Sequence, residues 1–161
     1  MDNVTSEKTS GNFIPHLHKW FVNSCKLTRK EAVLDYGAGM FDTGKNYLES
    51  HGIKVYRYDP YNVSADENHR ALVAFDENQV DAVLCSNVLN VITPDKIKST
   101  LRHLTKASCK LYFTVYEGDR SGIGKATTKG YQANMTTTAW IPELKRHFNT
   151  VLRHGKVLEV Y

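Results

Sequence analysis

Several things are scarce in this chain of 161 residues, and each scarcity removes a class of protein. It has only three cysteines, Cys25, Cys85 and Cys109. They are scattered and odd in number, which argues against a disulfide framework and fits a reducing, cytoplasmic setting. No CxxC or HExxH run occurs, so neither a structural nor a catalytic metal is expected. His16 and His18 lack a third ligand within sequence view and read as surface residues. No apolar stretch approaches the roughly 20 residues needed to cross a bilayer, and no signal-peptide pattern opens the sequence. Internal repeats are absent. Charge is not extreme: the formal net charge is +4, which permits contact with an anionic partner without requiring one. Residues 1–11 are polar and small and read as a disordered N-terminus; residues 12–161 read as one domain.

What is present centres on Glu31 to Pro60, EAVLDYGAGMFDTGKNYLESHGIKVYRYDP. Ala32-Val33-Leu34 is a short apolar strand ending at Asp35. Gly37 and Gly39 follow, where the backbone can turn sharply and a ligand can approach without meeting a Cβ. A helix is expected from about Asp42 to Ser50, with His51-Gly52 as its stop. A second strand through Ile53 and Val55 ends at Asp59, and Pro60 closes the ladder. This is a βαβ unit of an open parallel sheet, a fold class that binds ligands at the carboxyl ends of its strands. Asp59 lies roughly 20 residues beyond the glycine turn, where a carboxylate can accept both hydrogens of a ribose diol. The dinucleotide fingerprint GxGxxG fails, because Asp42 stands at its last position. That disfavours a nicotinamide-dependent oxidoreductase. Asp35 would suit a ligand carrying an ammonium group.

LDYGAG followed by YRYDP resembles the first two motifs of class I S-adenosylmethionine-dependent methyltransferases, in the flavour of small bacterial and bacteriophage members. VDAVLCSNVLNVI, residues 80–92, resembles that family's fourth strand and the turn after it. The resemblance covers about Glu31 to Tyr161. It implies a Rossmann-like α/β domain with a mostly parallel sheet and a C-terminal antiparallel hairpin. It implies S-adenosylmethionine as cofactor, with Asp35, Gly37 and Gly39 around its methionine part and Asp59 on its ribose. After the third strand, Asp76 is the nearest candidate for the adenine. The family's usual third small residue of the glycine turn is Phe41 here, a ring that could narrow the site.

The rest of the chain is read in order. Phe13, Ile14, Leu17, Trp20, Phe21 and Cys25 recur at helical spacing, as a covering helix with Pro15 in its first turn. Tyr61 to Glu67 reads as a polar connection and Leu72 to Phe75 as a weak third strand, with the third-strand region trimmed. Val80 to Cys85 reads as a fourth strand buried on both faces. Asn87 then sits at its tip, either orienting a substrate or cofactor group through its amide or satisfying its own backbone. Thr93-Pro94-Asp95 starts a helix. Leu111 to Tyr116 is the fifth strand, and Asn87, Tyr116 and Glu117 are the candidates for the acceptor side. Arg120 to Thr138 contains no acid and carries Arg120, Lys125 and Lys129; it reads as a lid or as a mobile surface loop, and as a possible nucleic-acid contact. Within it Tyr131 and Gln132 could stack on and hydrogen-bond a planar substrate. A short helix from about Ile141 to Phe148 and a hairpin around His154-Gly155 end the chain.

No acceptor motif is complete. The amino-methylating DNA enzymes' Asn/Asp-Pro-Pro-Tyr/Phe run is absent at Ser86-Asn87-Val88-Leu89, and no cysteine follows a proline as cytosine-C5 enzymes require. Two functions therefore remain: a methyltransferase acting on nucleic acid or a small molecule, and a methyltransferase-fold binding or regulatory protein without catalysis.

Overall fold

The computed structural model describes residues 11–24 and 31–161. The expected disorder of residues 1–11 and the placement of Cys25 fall outside them, apart from Gly11. Helices and strands alternate through α1 (His16–Ser24), β1 (Ala32–Tyr36), α2 (Thr43–Ser50), β2 (Lys54–Tyr58), α3 (Ala65–Asp76), β3 (Ala82–Ser86), α4 (Pro94–Leu104) and β4 (Lys110–Thr114). A small hairpin, β5 (Lys125–Thr127) with β6 (Gly130–Gln132), comes next. A 3-10 turn (Thr137–Trp140), α5 (Ile141–Lys145) and the closing hairpin β7 (Val151–His154) with β8 (Val157–Val160) complete the chain.

The main sheet has six strands in the order β2-β1-β3-β4-β8-β7. The first four are parallel and the last two antiparallel. This is the mostly parallel Rossmann-like sheet with a terminal antiparallel hairpin that the sequence reading expects. Strand order reverses at β1 and β3, which places their carboxyl ends at the switch point where such sheets take ligands.

Hydrophobic patterning explains the layers. β1 and β3 are central, and Val33, Leu34, Val83 and Leu84 are fully buried. Successive strand residues face opposite sides. Tyr36 therefore packs with α3 and α4 residues such as Ala71, Phe75 and Leu101, while Val33 packs with Leu17 and Phe21 of α1 and Leu48 of α2. Full burial of a side chain such as Leu17 or Phe21 contributes about 1.5–3 kcal/mol, enough to hold a nine-residue helix on the sheet.

One element departs from the sequence reading. Leu72 to Phe75 is not a strand; it is the last turn of α3, and no strand pairs beyond β2 among the described residues. Ser64 caps α3, its hydroxyl accepting from the Glu67 amide at 3.2 Å. Ser64-Ala65-Asp66-Glu67 has the S-x-x-E spacing of a capping box, and Ala71, Ala74 and Phe75 bury one helical face. That signal was present in the sequence and outweighs the short apolar run. The region after β2 is thus trimmed to one helix. The segment 120–138 also departs from a plain loop. It holds the β5–β6 hairpin, and Asn134 pins it by donating to the Ile123 carbonyl at 2.9 Å while its own carbonyl accepts from Gly122.

Candidate functional site

A cavity of about 290 Å³ lies across the carboxyl edge of β1, β2 and β3. Its walls include Pro15 and His18 on one side of the sheet, Gly37 and Asn87 at the strand tips, and Lys96 and Thr100 of α4 on the other side. The volume is at the small end of ligand pockets, which run from about 300 Å³ upward.

The glycine turn forms because Gly37 has φ +81 and Gly39 φ +75. The Gly37 and Ala38 amides both donate to the Tyr58 carbonyl, at 2.7 and 3.2 Å, so the turn folds back onto β2. A Cβ on Gly37 would stand 2.3 Å from Val88 Cγ2. The turn after β1 and the loop after β3 therefore touch through a missing side chain. Gly44 in α2 has the same use, since a Cβ there would meet His18 Nε2 at 3.2 Å and Pro15 Cδ at 3.3 Å.

Asp35 is 4 % exposed and lines the cavity. His18 Nε2 lies 3.0 Å from its Oδ2. A carboxylate can only accept, so His18 donates through Nε2–H. Its Nδ1 is buried without a partner. The other Asp35 oxygen has no hydrogen-bond partner among the described residues and is left for the cavity. The reading of His18 as a surface residue is overturned: it is fully buried, because α1 lays its Leu17, His18 and Phe21 face on the sheet. His16, two residues before, is exposed.

Asp59 also lines the cavity, but its carboxylate is occupied. Oδ1 accepts from the Tyr61 and Asn62 amides at 2.9 and 3.2 Å. Oδ2 accepts from the Gly39 amide at 2.9 Å and the Asn62 side-chain amide at 3.1 Å. A carboxylate offers about four lone-pair sites, and all four are used. Asn68 adds a second clamp, accepting from the Asp59 amide at 2.8 Å and donating to its carbonyl at 3.0 Å. Asp59 thus ties the glycine turn to the turn after β2; a ribose would reach it only by displacing the Asn62 side chain.

The other predicted residues divide. Asn87 lines the cavity in the left-handed region, φ +56, with its amide proton given to the Thr114 carbonyl at 2.9 Å. Its side chain makes no hydrogen bond among the described residues, so it is not a turn residue satisfying its own backbone. Phe41 lines the cavity without closing it. Asp76 does not reach it: α3 runs away from the strand tips, and its last residue is exposed at the opposite edge. Tyr116 is 63 % exposed and outside the cavity wall. Glu117 is also outside, holding Lys156 and accepting from the Thr137 amide at 2.7 Å. These partners pull its pKa down to about 2, so it is a fixed anion at neutral pH. Tyr131 packs against the core and the Gln132 side chain accepts from the Asn134 amide, so neither faces the cavity.

Two features escaped the sequence reading. Arg57 grips Glu67 through Nε at 2.8 Å and Nη2 at 3.2 Å and also holds Asp42, joining the starts of α2 and α3 to β2. The Glu67 carboxyl is lowered mainly by that hydrogen bond. Tyr36 and Tyr58 pave the α4 side of the cavity with ring centroids 4.9 Å apart. Burial raises both phenols, so they stay protonated. Cys85, fully buried beside Asp35, is likewise pushed up by desolvation and remains a thiol. Among the described residues no cluster of three His, Cys, Asp or Glu could hold a metal ion, and Cys85 and Cys109 are free.

The class these observations define is a Rossmann-like α/β domain with one cavity at the switch point of its sheet. No family model matches the chain, and no curated protein does. Among solved structures, similar chains include ribosomal protein L11 methylase from Lactobacillus delbrueckii subsp. bulgaricus. It is 12% identical, with 89% of this chain and 74% of that one covered, at a TM-score of 0.42. The N-terminal domain of EvdMO1 with SAH bound is 15% identical, with 81% and 72% covered, at a TM-score of 0.45. Both scores lie below 0.5, so the fold rests on the strand order and not on these likenesses.

Proposed function

We propose that this chain is an S-adenosylmethionine-dependent methyltransferase whose acceptor is a nucleic acid or a small molecule. The observation that carries the reading is Asp35: a buried carboxylate at the tip of β1, held by His18 through one oxygen and presenting the other to the cavity. That oxygen would take the cofactor's ammonium, and Gly37 and Gly39 would lie along its methionine part. The ribose would sit beside Asp59 and Asn62, and the base beyond it over Tyr36 and Tyr58. The cofactor supplies a sulfonium methyl that transfers by in-line displacement, with no acid needed for the leaving thioether.

The protein's share of that chemistry is alignment. Asn87, with a donor and an acceptor on one side chain, would orient the acceptor at the strand tip. Tyr116, exposed two residues beyond β4, and Arg120 and Lys129 on the adjoining hairpin segment would contact a nucleic-acid acceptor outside the cavity. Arg120 already lies 3.8 Å from Glu117 and Lys125 3.2 Å from Asp119, so Lys129 is the cation of this segment without an acidic partner among the described residues. No described helix is long and apolar enough to cross a membrane.

A second reading, a methyltransferase-fold binding protein without catalysis, is favoured by one observation: every lone-pair site of Asp59 is taken. Calorimetric titration with S-adenosylmethionine separates the cases. The first reading expects saturable binding that Asp35→Ala weakens, with labelled methyl passing to a nucleic-acid or metabolite pool. Binding without transfer to any pool favours the second. Folded protein that does not bind ends the first.

A further inference from the structure

Among the described residues the base end of the cavity has no carboxylate. The two acids on the cavity wall are Asp35, bound to His18, and Asp59, bound to backbone and Asn62. Asp76, the one further acid expected there, lies at the opposite edge of the sheet. The wall facing Tyr36 and Tyr58 is instead supplied by α4, whose Lys96 and Thr100, one helical turn apart, both line the cavity. The α4 register explains this. Ile97, Leu101 and Leu104 are buried against the sheet, which turns Lys96 and Thr100 toward the strand tips. Lys96 is exposed to the cavity and has no carboxylate partner among the described residues.

This matters because the two kinds of side chain read opposite edges of a purine. A carboxylate accepts only, so it rewards a 6-amino group and repels a 6-oxo group. A lysine ammonium donates only, so it pairs with a 6-oxo group or a ring nitrogen and gains nothing from a 6-amino group. A threonine hydroxyl serves either. Resting on the cofactor reading above, we propose that Lys96 and Thr100 read the base edge of the bound nucleoside, and that this site does not select 6-aminopurine over 6-oxopurine. The chain's ligand class is therefore a purine nucleoside thioether or sulfonium in general, with the 6-oxo form accepted.

The test is calorimetry on the full chain with S-adenosylhomocysteine and with its 6-oxo counterpart, S-inosylhomocysteine. The expected result is that the 6-oxo ligand binds no more than about threefold more weakly than the 6-amino ligand; a larger deficit overturns the inference. Lys96→Glu should turn the preference by about tenfold or more toward the 6-amino ligand, because an acceptor then replaces a donor. Lys96 is on the surface of α4, so this variant keeps the fold, checked by an unchanged thermal melt. An unchanged ratio in Lys96→Glu overturns the inference while leaving the cofactor reading intact. If folded protein binds neither ligand, the cofactor reading fails, and this inference with it.

Discussion

His18 Nε2 sits 3.0 Å from Asp35 Oδ2, joining a helix that precedes the sheet to the tip of its first strand across 17 residues of sequence. Both side chains are almost wholly buried. The pair does two things at once. It satisfies one oxygen of a buried acid, and it anchors α1 as a wall of the cavity.

Removing His18 leaves the Asp35 carboxylate buried with no donor among the described residues. His18→Phe should therefore lower the stability of the ligand-free chain by about 1–3 kcal/mol, despite the added apolar surface. Urea unfolding measures this. A variant as stable as the parent would mean that the hydrogen bond contributes nothing.

Asp59 makes a different prediction from the one its sequence position suggests. A residue kept only to hold a ligand can be removed without harm to the empty protein. Asp59→Ala strips four donors of their acceptor. Its stability should fall by about 2 kcal/mol or more in the absence of any ligand, and the amide of Gly39 should lose hydrogen-exchange protection.

Gly37→Ala meets two separate obstacles, the contact with Val88 and the positive φ. It should cost about 1–3 kcal/mol. Adding Val88→Ala should restore the steric part and leave the backbone part. A double-mutant cycle showing no coupling between positions 37 and 88 would contradict the observed contact.

Glu117 gives the clearest acid dependence. Its folded pKa is about 2 against an ordinary value of 4.5, lowered first by Lys156 and then by the Thr137 amide. A depressed carboxyl contributes stability that is full above its unfolded value and is lost as pH falls toward the folded one. The parent should therefore lose stability between about pH 4.5 and 2, and Glu117→Gln should flatten that part of the curve. High salt should shrink the difference, since the Lys156 side chain is exposed.

Much of the architecture was legible because it follows from local patterns. The glycine turn, the two strands around it, the N1 proline of α4 and the closing hairpin each occupy a few consecutive residues with one physical reading. The β3 run of Ala82 to Cys85 was legible for the same reason, as four successive buried residues. Where two local patterns competed, the longer one won: the Ser64 N-cap and the helical spacing of Ala71, Ala74 and Phe75 overrode a four-residue apolar run.

The site was legible only in part. Sequence alone determined which residues stand at the strand tips, since Asp35, Gly37, Gly39, Asp59 and Asn87 are set there by the ends of apolar runs. What each of them does was decided by tertiary structure. Whether a carboxylate is open to a ligand depends on donors that arrive from elsewhere in the chain: His18 to one oxygen of Asp35, and the amides of Gly39, Tyr61 and Asn62 to both oxygens of Asp59. Hydrogen-bond capacity is finite, so the partners already bound decide what a group can still hold, and those partners are fixed only when α1, the glycine turn and the loop after β2 close on one another.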